Sequence, residues 1–206
     1  MNPIKSLIEK GEGVTLDFKQ VINDSRKIAK SMVSFANTIG GTLLIGIRDN
    51  GSIAGVRSED EIHMLELASS FHCKPEVEYT VEEHLIEGKL VLKVDVPEGK
   101  EKPYYAHGDD DKWWVYIRVN DHCILASKTT VDFMRTQDRP VKLQIGSLER
   151  EILKFIAQSE KPTLKDICAK FNLGKRRAGR IIVDLMRAQA VQSHTTEKTE
   201  FFSAVY

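Results

Sequence analysis

Apolar and polar side chains alternate over residues 11–20 (GEGVTLDFKQ), and this period is typical of a β-strand. The apolar positions share one face of the predicted strand: Val14, Leu16 and Phe18. Asp17 and Lys19 share the opposite face. Three interpretations fit this pair: a nuclease-like cluster of acid and lysine, a nucleic-acid-binding strand, or an ordinary strand whose charges face solvent. What lies across from the strand decides between them.

A helical spacing of apolar residues follows over 25–41 (SRKIAKSMVSFANTIGG) and predicts an amphipathic helix. Its apolar stripe contains Ile28, Met32, Phe35 and Ile39. Gly40 and Gly41 end the helix. The next run, TLLIGI, predicts a strand, and Asn50–Gly51 predicts a two-residue hairpin turn because this pair readily takes positive φ.

The pattern continues with one more long helix and several short strands. The apolar face of the helix contains Ile62, Leu65 and Phe71. The helix ends near Lys74–Pro75, since proline disfavours a helical residue before it. Strands are predicted on both sides of Glu87–Gly88, in WWVYIRV and in CILAS, before a short helix at 130–135. Two or three helices and six or seven strands in hairpin order predict an α+β fold with a mixed, mostly antiparallel sheet.

The pattern of predicted elements changes after a polar stretch at 137–140 that ends in a proline. We therefore predict two domains, at residues 1–138 and 144–206. The second contains three helical segments (SLEREILKFIAQ, PTLKDICAKF and GKRRAGRIIVDLMRAQ) and then two short strands. These are the ingredients of a winged helix-turn-helix, although helix count alone fits many small domains.

Composition places the chain among globular proteins, because 41% of residues are hydrophobic and 29% are charged. The N-terminus lacks a signal-peptide pattern, and no apolar run approaches the roughly 20 residues that cross a bilayer. We therefore expect a cytoplasmic protein without membrane partners. Cys73, Cys123 and Cys168 lack a CxxC pair, so we expect reduced thiols rather than disulfides or a zinc site.

Positive charge concentrates at the start of the third helix of the second domain. The residues are Lys175, Arg176, Arg177 and Arg180. Cations at a helix N-terminus oppose the helix dipole, so local stability does not explain them, whereas a phosphate partner does. In helix-turn-helix proteins this part of the recognition helix approaches the major groove. The alternative is a set of solvated residues on a domain that only mediates dimerisation.

Three separated segments together resemble a known family. They are Glu12 with LDFK at 16–19, FANTIGGTLLIGIRDNGSIAGV at 35–56, and YIRVN at 116–120. Over roughly residues 5–136 the chain resembles the Schlafen-type AlbA-like domain. The resemblance implies an α+β fold and association with nucleic acid.

In animal Schlafen proteins a trio of acidic residues cuts structured RNA with a divalent metal. By motif position Glu12 and Asp17 correspond to the first two acids, and Asp49 is our candidate for the third. Asp17 replaces a residue that is usually glutamate, which shortens the reach of its carboxylate. The resemblance thus implies a possible Mg²⁺ or Mn²⁺ site, with Lys19 stabilising charge on the phosphorus.

In the family that this chain resembles, the block ANTIGGTLLIGI has also been associated with divergent ATPases. A P-loop runs from strand through glycine-rich loop to helix, whereas Gly40–Gly41 comes after a helix and before a strand. We therefore expect no ATP and assign Asn37 to bracing the helix exit. Arg118, within a β-branched strand, is expected either to bridge to a carboxylate or to hold a phosphate.

These observations favour a nucleic-acid-binding protein, specifically a DNA-binding transcriptional regulator that needs no cofactor. RNA is a possible partner, and a homo-oligomer with two-fold symmetry would suit a palindromic site. The alternatives are a metal-dependent endoribonuclease using Glu12, Asp17 and Asp49, and a protein–protein scaffold that binds no nucleic acid.

Overall fold

The computed structural model describes residues 3–139 and 146–205, which form two compact units. The boundary between the N-terminal unit and the C-terminal unit lies between Ala126 and Ser127. It precedes the linker predicted at 137–140, because the short helix before that linker packs with the C-terminal unit. Pro140 lies outside the described residues.

The N-terminal unit contains three helices and nine strands within the described residues. The helices are α1 (Pro3–Lys10), α2 (Ser25–Ala36) and α3 (Ser58–His72). The strands are β1 (Leu16–Lys19), β2 (Gly41–Ile45), β3 (Cys73–Lys74), β4 (Thr80–Ile86), β5 (Lys89–Val96), β6 (Tyr105–His107), β7 (Trp113–Trp114), β8 (Tyr116–Val119) and β9 (His122–Leu125).

A four-stranded sheet in the order β1-β2-β5-β4 is the centre of this unit. Strands β1 and β2 are parallel because α2 connects them, and the other two pairs are antiparallel. Strands β3, β6 and β7 form a small antiparallel sheet, and β8 pairs with β9. The predicted α+β fold with mostly antiparallel strands is confirmed.

Both faces of the central sheet are covered, and this determines where β1 places its charges. Leu43 and Ile45 of β2 pack in a core that includes α2, whereas Leu44 packs on the other face with Ile4 of α1. Asp17 is opposite Leu43 in the parallel register, so its side chain points toward the α2 layer. The face of β1 that carries Asp17 and Lys19 is therefore an interior face.

Three apolar residues assigned to core faces are instead exposed. Helix α2 ends at Ala36, so Ile39 lies beyond it and is 60% exposed. Phe71 is 69% exposed, and Val14, which precedes β1, is 37% exposed. The chain does turn at Asn50–Gly51, but not as the predicted two-residue hairpin turn. Gly51 has φ +78°, Asn50 does not have positive φ, and Gly51 N donates to Arg48 O at 2.8 Å. The returning chain forms only an isolated bridge.

The C-terminal unit contains four helices and a hairpin within the described residues. They are α4 (Lys128–Met134), α5 (Ser147–Gln158), α6 (Leu164–Phe171), α7 (Lys175–Arg187), β10 (Val191–Thr195) and β11 (Glu200–Ala204). Apolar side chains of α5, α6, α7 and both strands form one core. Thr163 and Asp166 close the start of α6 with a reciprocal capping box. No helix in the described parts of either unit is long and apolar enough to cross a membrane.

Candidate nucleic-acid interface and a buried carboxylate cluster

Asp17 is the centre of a buried polar cluster, so the interpretation of its strand face as one with solvated charges is wrong. Its Oδ2 lies 2.7 Å from Lys19 Nζ, and its Oδ1 lies 3.1 Å from Arg118 Nη2. Ser31 of α2 also donates its hydroxyl to Asp17 Oδ2, at 3.2 Å. The carboxylate is thus engaged by two cations and a hydroxyl.

Arg118 links β8 to the free edge of the central sheet. Its Nε donates to Gly13 O at 3.0 Å, and its Nη2 donates to Leu16 O at 3.2 Å. Its guanidinium also lies 5.1 Å from the centre of the Phe35 ring. Of the two roles expected for Arg118, the structure shows the bridge to a carboxylate.

Glu12 lies against the same cluster and differs from Asp17 in its protonation. Its Oε1 accepts a hydrogen bond from Phe18 N at 2.7 Å, and its carboxyl is hydrogen-bonded to Asp17. Burial, together with the Asp17 carboxylate, raises the pKa of Glu12 above its ordinary value. Burial would also raise the pKa of Asp17, but Lys19 and Arg118 outweigh it and hold that pKa below its ordinary value. Glu12 therefore keeps its proton to a higher pH than an ordinary glutamate, and Asp17 stays ionised to a lower pH than an ordinary aspartate.

The acidic trio implied by the resemblance is only partly brought together. Glu12 and Asp17 are neighbours and Lys19 is beside them, whereas Asp49 is exposed in the turn that follows β2. Within residues 3–139 and 146–205, no group of three or more His, Cys, Asp or Glu side chains is arranged to hold a metal ion. The donor set does not fit Mg²⁺ or Mn²⁺, because Asp17 is already neutralised by two cations.

Asn37 braces the helix exit, as the sequence predicts. Its Nδ2 donates to Tyr104 O and Tyr116 O, both at 2.9 Å, and its Oδ1 accepts from Tyr104 N at 2.8 Å. Gly40 follows at φ +75°, where a Cβ would come within 2.8 Å of Val96 O. The central block of the resemblance therefore joins three chain segments and turns the chain from α2 into β2.

The four cations named from the sequence form an exposed basic cluster at the start of α7. All four side chains are exposed: Lys175, Arg176, Arg177 and Arg180. The opposite side of the helix is buried against the core through Ala178, Ile182 and Leu185. The helix begins after Gly174 without a side-chain cap and without an acidic residue in its first turn.

The basic cluster has no counter-charge in the described part of the chain. No Asp or Glu described by the structure lies within ion-pair distance of these residues, whereas Arg187 at the other end pairs with Asp184 at 3.3 Å. The two units have opposite net charges, and the C-terminal unit is the basic one. Residues 127–206 contain 15 Lys and Arg against 9 Asp and Glu, and residues 1–126 contain 15 against 21. A polyanion is therefore attracted to the C-terminal unit.

Comparison with known proteins identifies the N-terminal unit. A family model described as Schlafen, AlbA_2 matches residues 12–127. No curated protein matches the sequence.

Solved structures that match this chain include two of low sequence identity. The DIP2311 protein from Corynebacterium diphtheriae is 22% identical, with a TM-score of 0.45 over 74% of this chain. This chain covers only 27% of that protein. The N-terminal domain of a RecG-related protein from Nitrosomonas europaea is also 22% identical, with a TM-score of 0.41. That match covers 53% of this chain and 83% of the domain.

Proposed function

This chain belongs to the Schlafen AlbA_2 family, and from that premise we propose that it binds nucleic acid. The family assignment supports an association with nucleic acid but does not select the surface that makes the contact. The net charges of the two units support the C-terminal unit as the one that contacts nucleic acid, because the N-terminal unit has more acidic than basic residues.

The finer proposal is a DNA-binding transcriptional regulator whose C-terminal unit is a winged helix. The order of α5, α6, α7 and the β10–β11 hairpin supports it, because a helix-turn-helix followed by a hairpin has this order. Helix α7 is then the recognition helix. A two-fold homo-oligomer would present two such helices to a palindromic DNA site.

The observation that carries the proposal is the uncompensated basic cluster at the start of α7. Each cation there opposes the helix dipole, at a cost of about 0.3–1 kcal/mol. Arg176 and Arg180 are also one turn apart, where like charges repel by about 0.2–0.5 kcal/mol. A bound phosphate group would make the environment of these cations favourable. It would also accept hydrogen bonds from the uncapped N–H groups of the first turn.

The nuclease alternative has weaker support in the geometry. Asp17 would have to leave Lys19 and Arg118 before it could bind a metal ion. This would leave the buried guanidinium of Arg118 without its carboxylate partner. The cluster is better suited to fixing β1 against β8. We therefore assign the N-terminal unit to support or oligomerisation rather than to cleavage.

The test compares DNA and RNA binding by the full chain and by a charge variant. Arg176→Gln combined with Arg177→Gln removes two cations from the exposed face of α7. We expect affinity for duplex DNA to fall by about 10-fold or more, measured by fluorescence anisotropy, because contacts to phosphates or base edges are lost. RNA measured in parallel identifies the preferred nucleic acid.

The matched control is Lys27→Gln with Lys100→Gln, which removes the same charge from exposed positions of the N-terminal unit. It should leave affinity within about two-fold, since neither lysine belongs to the basic cluster of α7. Equal losses in both variants would show that net charge alone, not the basic cluster, governs binding. If the wild-type chain binds neither DNA nor RNA, the scaffold alternative takes the place of this proposal.

A further inference from the structure

The β10–β11 hairpin places two aromatic rings on the face that its own core does not use. Val191 and Phe202 are buried in the core of the C-terminal unit. Side chains alternate along each strand, so His194 and Phe201 lie on the opposite face. They are directly paired across the two strands, and both remain partly exposed.

The two rings are stacked, and the ammonium of Lys161 lies over the ring of Phe201. The centroids of His194 and Phe201 are 5.0 Å apart, and the ring planes differ by only 17°. Lys161 Nζ lies 5.7 Å from the centre of the Phe201 ring. The hydrogen bond between His194 Nε2 and Ser203 Oγ, 2.7 Å long, fixes the orientation of the imidazole.

The core of the unit does not use these two rings, and as a cross-strand pair they stabilise the hairpin alone. The core cluster of the C-terminal unit and the residues packed against it include Phe202 and Ala204 of β11 but neither ring of the stack. A partly exposed aromatic pair on a hairpin surface keeps apolar area in water, and that area is available to a planar partner.

We propose that His194 and Phe201 form a stacking platform for an unpaired base of a nucleic acid, with Lys161 meeting the adjoining phosphate. A base buried in a duplex cannot reach such a surface, whereas an unstacked base presents its π-face to an aromatic ring. The platform therefore favours single-stranded nucleic acid, or a duplex with an unpaired end. This inference rests on the proposed function, and it adds a site for an unpaired base to the duplex contact that is proposed for α7.

Charge supports a nucleic acid as the occupant over an apolar segment of a protein. The platform belongs to the unit that has 15 Lys and Arg against 9 Asp and Glu. An ammonium next to an aromatic ring is suited to a ligand that combines flat bases with regularly spaced phosphates. An apolar peptide would satisfy the rings but leave the lysine without a role.

The test replaces the π-face of Phe201 and measures two forms of one short fluorescent oligodeoxynucleotide, single-stranded and annealed to its complement. Phe201→Leu keeps apolar volume but removes the ring. We expect it to weaken binding of the single strand by about 5- to 150-fold, the range of one base–aromatic stack, and to change blunt-duplex affinity by less than two-fold. Phe201→Tyr retains the ring and should preserve single-strand affinity.

Gln192→Ala is the matched control, because Gln192 shares the outer face of the hairpin but contributes no ring. Its affinities should equal those of the wild type. Melting temperatures of all variants establish that the hairpin is folded, so a loss of binding reports on the stack. If Phe201→Leu binds the single strand like the wild type while the Arg176 and Arg177 variant weakens duplex binding, the platform is overturned and the proposed function stands. Absence of any binding by the wild type overturns both.

Discussion

Arg118 Nη2 lies 3.1 Å from Asp17 Oδ1, and the side chains of the two residues are 2% and 5% exposed. This ion pair connects β8 to the edge strand β1 across 101 residues of sequence. Lys19 and Ser31 complete the shell of the carboxylate. Glu12 and Asp17 of the acidic motif thereby belong to a network of partly and fully buried charges.

Removing the arginine of this pair should strongly destabilise the protein. Arg118→Met leaves Asp17 buried with only Lys19 as a cationic partner, and breaking a buried pair costs about 3–5 kcal/mol of the free energy of unfolding. Urea denaturation measures the loss. Adding Asp17→Asn should restore part of the lost free energy of unfolding, because the double variant no longer buries a carboxylate that lacks its arginine partner.

Arg48→Met is the control for that experiment. Arg48 is exposed, and its guanidinium donates a 3.3 Å hydrogen bond to Ser52 Oγ. Its replacement should change the free energy of unfolding by no more than about 0.5 kcal/mol. If Arg118→Met is equally mild, the ion pair does not stabilise the fold.

Glu12→Gln should raise stability at neutral pH. Because the folded protein raises the pKa of Glu12, the stability from its protonated form is fully present below the unfolded value of 4.5 and is lost as pH rises through the folded pKa. A glutamine amide can donate to Asp17 and accept from Phe18 N at every pH. The gain over wild type should therefore be seen at pH 7 and shrink toward pH 4.

Asp17 should produce the opposite dependence. Its folded pKa is below the ordinary 3.8, so its stabilisation is present above pH 3.8 and is lost as pH falls through the folded pKa. Unfolding curves recorded between about pH 2 and pH 7 separate the two effects. A Glu12→Gln variant that is less stable than wild type at pH 7 would contradict the raised pKa of Glu12.

Asn37 should be intolerant of replacement. Asn37→Ala removes three hydrogen bonds and leaves two carbonyls and one N–H without this partner, which should lower the free energy of unfolding by about 3 kcal/mol. Asn37→Asp retains the acceptor but not the donors, so it should also destabilise. Asn50→Ala loses one exposed bond to Ser52 N and should cost about 1 kcal/mol or less by urea denaturation. Equal effects at the two positions would refute the brace.

The local pattern of the sequence predicts elements well but does not reveal what covers them. Alternation correctly places Asp17 and Lys19 on one face of a strand, because that depends only on the two-residue period. It does not reveal that α2 and a distant arginine cover this face, since that is a tertiary contact. Ile39 is a similar case: the helical spacing includes it, but Asn37 ends the helix first.

The candidate sites likewise differ in whether local sequence or tertiary contacts determine them. The basic cluster of α7 could be predicted because its four residues are local and a helix keeps them together. Asp49 could not be tied to Glu12 from sequence, since the geometry of a turn decides where it lies. The pairing of His194 with Phe201 was missed because it requires the strand register of the final hairpin. The signal was available in the equal distances of the two rings from the polar turn.

The salt dependence of duplex binding tests the central claim most directly. The slope of log Kobs against log salt concentration falls by about 0.9 for each phosphate contact that is removed. If the basic cluster of α7 meets the phosphates, Arg176→Gln with Arg177→Gln should make the slope shallower by up to about 1.8. Lys27→Gln with Lys100→Gln should leave it unchanged. An identical slope for the wild type and the Arg176 and Arg177 variant would contradict the account.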